Sequence, residues 1–360
     1  MIYLDYQATT PLAPEAREAM LRWLDGPGGD GFGNPHSPHR MGRMAAAAVE
    51  LAREQVAALL PPGGRVVFTS GATEAINLAM RGFAAPGARP AIAVSAIEHA
   101  AVLDTAGAVG ETEIWPVDEE GLVDPGHRLA VRPQLVAIMQ VNNEIGVVQP
   151  MAEVSRRAQD MGALLLIDAV QAAGKLEVPT ADFIVVSAHK LHGPKGVGAL
   201  WVRDGVELHT VSTGGGQEGV RSGTLSPALC AGFGAAAKVA LEQRQTDAKH
   251  VAALFNRARE LFAGWAWNGS REERWRGNIN IRRAGLDVAR LMSDCRQVMF
   301  SAGSACASGS GRTSHVLKAI GLAEADAKSS IRLGFGRYTS LAELEEAAEL
   351  INAAAQAQEA

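Results

Sequence analysis

The chain of 360 residues is 47% hydrophobic and carries a formal net charge of −5. This length is enough to bury a large core and favours two domains, and the mixed charges exclude the basic surface that nucleic acid requires. No apolar run approaches the roughly 20 residues that cross a bilayer, and the N-terminus lacks the pattern of a signal peptide. The three cysteines form no recognisable disulfide framework. We therefore expect a cytoplasmic protein without membrane or nucleic-acid partners.

Short apolar runs alternate with amphipathic stretches through the middle of the chain. The runs predict strands at residues 66–68, 91–95, 134–139, 163–167, 182–186 and 197–202, and the stretches predict helices that include residues 74–81 and 151–161. Strands that are apolar along their whole length are buried on both faces. The pattern therefore predicts an α/β fold with a mostly parallel sheet covered by helices on both faces.

The part of the chain beyond Pro227 has a different pattern. Long helices rich in Ala, Glu and Arg come first, and a shorter mixed segment follows at residues 278–337. This order predicts a smaller α+β domain that the first dozen residues complete. We place the large domain at residues 14–250 and the small domain at residues 1–13 and 251–360.

The segment that follows the strand predicted at residues 182–186 indicates cofactor chemistry. It places Ser187 and His189 beside Lys190, ahead of a Gly-Pro turn. A lysine amine becomes nucleophilic when it loses its proton, which a partly desolvated, cation-rich site favours. Pyridoxal phosphate needs both a phosphate site and a lysine that forms a Schiff base. The segment therefore predicts a pyridoxal-phosphate site, with an ordinary solvated lysine as the alternative.

Two other strand ends carry candidate cofactor-binding residues. Residues 69–74 join a strand to a helix, where N–H groups and the Thr73 hydroxyl suit an anion, although an ordinary helix cap has the same composition. Asp168 ends an apolar strand, where a carboxylate needs a cationic partner such as a pyridinium nitrogen. A helix cap is again the alternative. Gln171 suits donation to the phenolic oxygen of the cofactor.

His99 and Asn143 also follow predicted strands. His99 suits stacking on a cofactor ring and proton transfer near neutral pH, although a surface histidine is the commoner case. Asn143 suits the orientation of a carboxylate or a cofactor oxygen, or a simple turn. Arg332 emerges from a predicted strand and suits a bidentate contact with a carboxylate. A solvated arginine on an edge strand is the alternative.

Cys306 differs from the other two cysteines in its surroundings. A cysteine is most often a small buried hydrophobe, which fits the sequences around Cys230 and Cys295. Cys306 lies among Gly, Ser and Ala residues, which offer little apolar surface to bury against. We expect an exposed and flexible segment there, suited to a thiol that must travel.

Together these motifs resemble the cysteine desulfurases, in the aminotransferase class V group of fold-type I pyridoxal-phosphate enzymes. The similar segments lie in the same order along nearly the whole chain, at residues 3–11, 34–42, 187–196, 214–218, 221–224 and 301–308. The Ala-Gly-Ser-Ala-Cys sequence resembles the subgroup with a long catalytic loop, which includes nitrogen-fixation and housekeeping enzymes. Gly334 departs from the serine that many relatives carry after this arginine.

The resemblance implies which residues bind the cofactor. Those implied to hold the phosphate are Ala72, Thr73, Ser187 and His189, with Thr224 reaching the phosphate of the neighbouring subunit in a homodimer. Those implied to contact the ring are Asp168 at the pyridinium nitrogen, Asn143 and Gln171 at the ring substituents, and His99 stacked on the ring.

The resemblance also implies the reaction. Lys190 would bind the cofactor covalently and remove the α-proton of L-cysteine, while Arg332 and Asn143 would bind its carboxylate. Cys306 would take the sulfur as a persulfide, L-alanine would leave, and an acceptor protein such as an iron–sulfur scaffold would receive the sulfur. His99 would assist proton transfer.

Three alternatives remain beside this interpretation. A selenocysteine lyase or an aminotransferase would use the same scaffold, but an aminotransferase does not need the thiol of Cys306. A protein that serves only in assembly would not need Lys190, Asp168 and Cys306 together. Two His-x-x-His pairs, at residues 36–39 and 189–192, lack a third ligand nearby, and we predict no metal site.

Overall fold

The computed structural model describes residues 1–303 and 313–359. Its strands are β1 (Ile2–Tyr3), β2 (Gly64–Thr69), β3 (Ala91–Ser95), β4 (Glu111–Trp115), β5 (Leu135–Met139), β6 (Leu164–Asp168), β7 (Phe183–Ser187), β8 (Gly198–Arg203), β9 (Ala266–Trp267), β10 (Asn278–Arg282), β11 (Val298–Met299), β12 (Ser301–Ala302) and β13 (Ser330–Gly334). Its α-helices are α1 (Pro14–Leu21), α2 (Arg40–Ala57), α3 (Ala72–Gly82), α4 (Ala100–Val109), α5 (Met151–Met161), α6 (Pro227–Leu261), α7 (Val288–Asp294), α8 (His315–Ala319), α9 (Glu324–Lys328) and α10 (Leu341–Gln356).

Strands β2 to β8 form one sheet in the order β2-β8-β7-β6-β5-β3-β4. Strands β4, β3, β5, β6 and β7 run parallel, whereas β8 pairs antiparallel with β2 and β7. The register aligns the ends of three central strands, because Met139 pairs with Asp168 and Asp168 pairs with Val185. Side chains that follow these strands are therefore brought to one edge of the sheet, as is usual for sites in parallel sheets.

Helices cover both faces of this sheet. Alternate residues of a strand point to opposite faces, and Ile92 and Val94 accordingly pack in a buried cluster with helices α3 and α4. Ala93, between them, packs in a second cluster with helices α2, α5 and α6. The fold class predicted from the sequence, a mostly parallel sheet with helices on both faces, is confirmed.

The N-terminal segment packs with the C-terminal part of the chain. β1 pairs in parallel with β11, and β12, β13, β10 and β9 form a separate antiparallel sheet. Gly334 also donates its backbone N–H to the Leu4 carbonyl at 2.8 Å. Helix α6 runs through residue 250, so the predicted domain boundary falls inside a helix. The division into residues 14–250 against residues 1–13 and 251–360 stays a prediction.

The strands of the large sheet follow the sequence pattern, with one of them missed. The helix predicted at residues 151–161 has those bounds, as α5. Strand β4 was not predicted, because its sequence Glu-Thr-Glu-Ile-Trp is polar and lies at the sheet edge with one buried residue, Trp115. Across the described ranges, no helix is both long and apolar enough to span a membrane.

Candidate active site

A cavity of about 500 Å³ opens at the edge of the sheet where β5, β6 and β7 end. Ten of the residues predicted from the sequence line it: Ala72, Thr73, His99, Asn143, Asp168, Gln171, Ser187, His189, Lys190 and Arg332. They come from six separate stretches of the chain. Their convergence in one cavity is the first structural observation in favour of the predicted site.

Lys190 lies on the 3₁₀ turn Ala188–Lys190, directly after β7. The buried strand fixes this turn at the cavity wall, and the Nζ atom of Lys190 donates to the backbone carbonyls of Gln7 and Ala8 at 2.5 and 2.8 Å. The N-terminal segment therefore orients the amine. Neither Gln7 nor Ala8 was predicted as a site residue.

The first turn of α3 forms the anion-binding end of the cavity. Its N-cap residue is Gly71, which offers no side chain to cap the helix, so backbone N–H groups of this turn remain available to a ligand. A Cβ atom on Gly198 of β8 would lie 2.8 Å from the Gly71 backbone. The absence of a side chain at Gly198 therefore allows the helix to begin this close to the sheet.

His189 lies in a positively charged part of the cavity. Its Nδ1 atom is 3.2 Å from Oγ1 of Thr9. Burial lowers the pKa of His189 to about 4, and the charges of Lys190, Lys195 and Lys175 act in the same direction. The imidazole is therefore neutral at neutral pH, and the surrounding lysines favour a bound anion.

Asp168 is a buried carboxylate that also lines the cavity. It is 5% exposed, and its Oδ1 atom accepts a hydrogen bond from the Val170 N–H at 3.0 Å. Burial raises its pKa, against the effects of that hydrogen bond and of His99 and Lys190. No salt bridge within 4.0 Å involves Asp168 among the described residues. A cationic ligand group beside it would stabilise the charged form.

Gln171 is held by two neighbours behind the cavity. Its Nε2 atom donates to the Gln7 carbonyl at 3.0 Å, and its Oε1 atom accepts from Nζ of Lys175 at 3.3 Å. Burial, together with the charge of Lys190, lowers the pKa of Lys175 to about 7. Lys175 was missed from the sequence, where one lysine beside a glycine carries no distinguishing pattern.

Arg332 also lines the cavity, from strand β13. Its guanidinium donates to Oδ1 of Asp5 at 2.6 Å, to Oγ of Ser301 at 3.2 Å and to the carbonyl of Asn143 at 3.0 Å. The side chain is 1% exposed, and its Nε atom is buried without a partner among the described residues. Asp5 was also missed from the sequence, because its partner lies at the far end of the chain.

His99 is the N-cap residue of helix α4, and the first turn of that helix orients its side chain. Its Nδ1 atom accepts from the Ala101 N–H at 3.1 Å, so in the neutral ring the proton lies on Nε2. The preceding residue, Glu98, is fully buried and accepts from Ser95 and from the Met139 N–H. Burial and the charge of Asp168 raise the pKa of Glu98 to about 8. A neutral Glu98 therefore cross-links the ends of β3 and β5 beneath His99.

Of the predicted residues that the structure describes, Thr224 alone does not line the cavity. Thr224 is exposed, near a loop held by the ion pairs Arg221–Glu74 and Arg53–Glu218, and its role stays a prediction. Cys306 lies outside the described residues.

The other two cysteines are buried, as expected from their surroundings. Both Cys230 and Cys295 are 1% exposed. Burial raises the pKa of Cys230 to about 12 and also raises that of Cys295. Neither is suited to act as a thiolate.

The cavity thus presents an amine, a buried carboxylate and an uncapped helix N-terminus at three points of its wall. A cofactor with a carbonyl carbon, a ring cation and a phosphate would satisfy each of them. The arrangement fits pyridoxal phosphate on the chemistry of Lys190, Asp168 and the first turn of α3.

Comparisons with known proteins identify the family of the chain. The family description "Aminotransferase class-V" matches residues 2–346. A protein named "Cysteine desulfurase IscS" from Rickettsia felis is 39% identical over 376 residues, which cover 97% of this chain and 90% of the relative. The protein of the same name from Rickettsia massiliae is 38% identical over 372 residues with the same coverage.

Solved structures give the same result. A NifS-like protein has a TM-score of 0.89 and 30% identity, over 98% of both chains. A structure described as SspA in complex with cysteine has a TM-score of 0.80 and 32% identity, over 94% of this chain and 100% of SspA. The chain belongs to the aminotransferase class V family. Within that family its relatives are cysteine desulfurases, and the resemblance predicted from the sequence is confirmed.

Proposed function

We propose that this enzyme converts L-cysteine to L-alanine and transfers the sulfur to Cys306 as a persulfide. The observation that carries the proposal is that Lys190, which follows β7 of the large sheet, and Arg332, on β13 of the smaller antiparallel sheet, line one cavity. An amine-reactive cofactor site beside a buried guanidinium suits an α-amino acid substrate. The SspA structure with cysteine supports the choice of cysteine.

The cofactor is proposed to be pyridoxal phosphate. Ala72, Thr73, Ser187 and His189 would hold its phosphate, and Asp168 would pair with its ring nitrogen. Asn143 and Gln171 would orient the ring substituents, and His99 would stack on the ring. When bound, the cofactor supplies an electron sink that makes the α-proton of the substrate acidic.

The chain's own residues position the substrate and move protons. Arg332 binds the substrate carboxylate with Asn143, because a guanidinium fork suits a carboxylate. Lys190 removes the α-proton, and its orientation by the Gln7 and Ala8 carbonyls keeps the amine in the cavity. His99, with its proton on Nε2, supplies a hydrogen-bond donor in the same cavity.

Cys306 is the proposed sulfur acceptor. Its thiolate attacks the substrate sulfur, the carbon–sulfur bond breaks, and the carbon skeleton leaves as alanine after protonation. We propose that an acceptor protein, such as an iron–sulfur scaffold, then takes the sulfur in a reducing cytoplasm. The enzyme is proposed to act as a homodimer, in which Thr224 reaches the phosphate of the partner's cofactor.

Incubation of the purified enzyme with L-cysteine, without reductant, tests the function. We expect one added sulfur atom on Cys306 by peptide mass mapping, together with released alanine. The Cys306→Ala variant should bind cofactor and cysteine yet accumulate no persulfide, and Cys230→Ala should behave like the wild type. Bleaching of the cofactor colour without alanine or added sulfur would instead indicate an aminotransferase.

A further inference from the structure

The described residues on either side of residues 304–312, called here the cysteine segment, are hydrogen-bonded to elements that carry active-site residues. On the N-terminal side, β12 pairs with β13, and Gly303 donates its N–H to the Ser330 carbonyl at 2.7 Å. On the C-terminal side, the described chain resumes at Thr313. Ser314, the next residue, donates its hydroxyl to Oε2 of Glu144 at 2.5 Å.

Ser314 performs two tasks with one hydroxyl. Besides donating to Glu144, its Oγ atom accepts from the Leu317 N–H at 3.0 Å and so caps helix α8. A hydroxyl can donate once and accept as well. Ser314 is 3% exposed. Its hydrogen bond therefore holds the start of α8 against Glu144, the residue that follows Asn143 of the cavity wall.

The neighbouring residue adds a second attachment. Nε2 of His315 donates to the Glu98 carbonyl at 2.8 Å. Glu98 directly precedes His99, and Glu144 directly follows Asn143. The chain that leaves the cysteine segment is thus bonded to the two loops that carry these active-site residues.

Glu144 is itself held in place from several directions. Its backbone carbonyl accepts from Nδ2 of Asn278 and of Asn280, at 3.2 and 3.1 Å. Its carboxyl group is buried, which raises its pKa, while the Ser314 hydroxyl and the charges of His315 and Arg332 act in the opposite direction. A buried carboxylate is costly unless partners of this kind surround it, and the mechanism above gives Glu144 no other task.

We propose that Glu144 and Ser314 are positioning residues for sulfur transfer, which fix the point where the chain leaves the cysteine segment relative to Asn143 and Arg332. The inference rests on the proposed function of Cys306. It predicts that breaking the Glu144–Ser314 contact slows transfer of sulfur to Cys306 without changing cofactor or cysteine binding.

Two substitutions of one serine separate this contact from helix capping. Asparagine and aspartate are both good N-cap residues and similar in size. Asparagine at position 314 can still donate an N–H to Glu144, whereas aspartate places a second carboxylate beside it in a buried site. Ser314→Asn and Ser314→Asp therefore differ mainly in the contact under test.

A remote serine provides the matched control. Ser340 likewise caps a helix, α10, and donates to a carboxylate, Oε2 of Glu343, at 2.8 Å, but it is exposed and its acceptor lies on the capped helix itself. Ser340→Asp and Ser340→Asn, made in the holoenzyme, report the effect of a cap and a like-charge pair away from the active site.

The readouts are the single-turnover rate of persulfide formation on Cys306 and the change in cofactor absorbance when cysteine binds. We expect Ser314→Asp to slow persulfide formation by about tenfold to a hundredfold, since small displacements of reacting groups have effects of this size. Ser314→Asn should retain most of the rate, and the cysteine dependence of the absorbance change should be the same in both. Glu144→Gln combined with Ser314→Asp should restore much of the lost rate, because it removes the like charge.

A wild-type rate in Ser314→Asp, or an equal loss in the Ser340→Asp control, would overturn the inference alone. Failure of Glu144→Gln to rescue a folded Ser314→Asp enzyme would also count against it. By contrast, absence of persulfide from the wild-type enzyme would overturn the proposed function first, so the two failures are distinguishable.

Discussion

The proposed cofactor side and the proposed substrate side of the cavity are built in different ways. On the cofactor side, Asp168, Ser187 and Lys190 lie on or directly after two adjacent strands, and the sheet register alone brings them together. On the substrate side, Arg332 is held by Asp5, 327 positions away in sequence, and by the Asn143 carbonyl. The first arrangement depends on local sequence and the second on contacts between distant segments.

This difference has a consequence for the effects of mutation. A substitution on the cofactor side removes a chemical group but leaves neighbouring strands as a frame. A substitution on the substrate side that displaces the N-terminal segment from β13 should also affect the residues that this segment orients. A substitution there that leaves the segment in place should change substrate binding alone.

Removing the cofactor-side amine should have the largest effect. Lys190→Ala should abolish the absorption band of the lysine-bound cofactor and all alanine release, because no other group at that position can bind the cofactor covalently or take the α-proton. Ultraviolet–visible spectra and an alanine assay measure both. Lys238→Ala, on the exposed face of α6, is the control, and a persisting band in Lys190→Ala would refute the assignment.

Replacing the substrate-side guanidinium should spare the cofactor. In Arg332→Lys the charge remains, but an ammonium cannot reproduce the fork that contacts Asp5 and Asn143. The loss of one charged hydrogen bond, about 2 to 3 kcal/mol, should reduce kcat/KM for cysteine by about 100-fold. The cofactor spectrum should stay that of the wild type.

The control for this substitution lies on the adjacent strand. Arg282→Lys changes an arginine of β10 that bonds to Trp267 and Asn268 rather than to the cavity. An unchanged kcat/KM in Arg332→Lys, or an equal loss in Arg282→Lys, would remove Arg332 from substrate binding.

The same division explains what the sequence predicted. Apolar strands, the bounds of α5 and the position of Lys190 after β7 could be predicted because each is encoded within about ten residues, by periodicity and turn composition. The polar edge strand β4 could not be predicted in this way, because it has no apolar periodicity. Its backbone pairing with β3 holds it in the sheet.

Buried polar contacts between distant segments were the main omission. Asp5 and Gln7 lie in a motif that the resemblance included, yet only the folded chain shows that they contact Arg332 and Lys190. Arg274 is 7% exposed and donates to the carbonyls of Ile145 and Asn278. The composition around Arg274 indicates a charged loop, whereas the contact with Ile145, 129 positions away, appears only in the folded chain.

Gly334 departs from the serine of many relatives. Its substitution should have the smallest effect of those considered, and it tests directly whether distant segments pack together on the substrate side. A Cβ atom at this position would collide with Oε1 of Gln7. Gln7 is 4% exposed and its Nε2 atom donates to the Gly277 carbonyl at 2.9 Å, so the amide has little room to move. Because the Gln7 carbonyl accepts from Lys190, the strain would reach the amine.

We therefore expect Gly334→Ser to lower the free energy of unfolding by about 1–3 kcal/mol, the usual cost of overpacking. Gln7→Ala removes the colliding amide, at the cost of its hydrogen bond to Gly277. The double variant should be more stable than the sum of the two changes predicts, by about 1 kcal/mol or more. Chemical denaturation of the four proteins, with cofactor in constant excess, measures this coupling. Additive effects would mean that Gln7 and Gly334 do not share one space, and that the substrate side is less dependent on distant packing than the structure indicates.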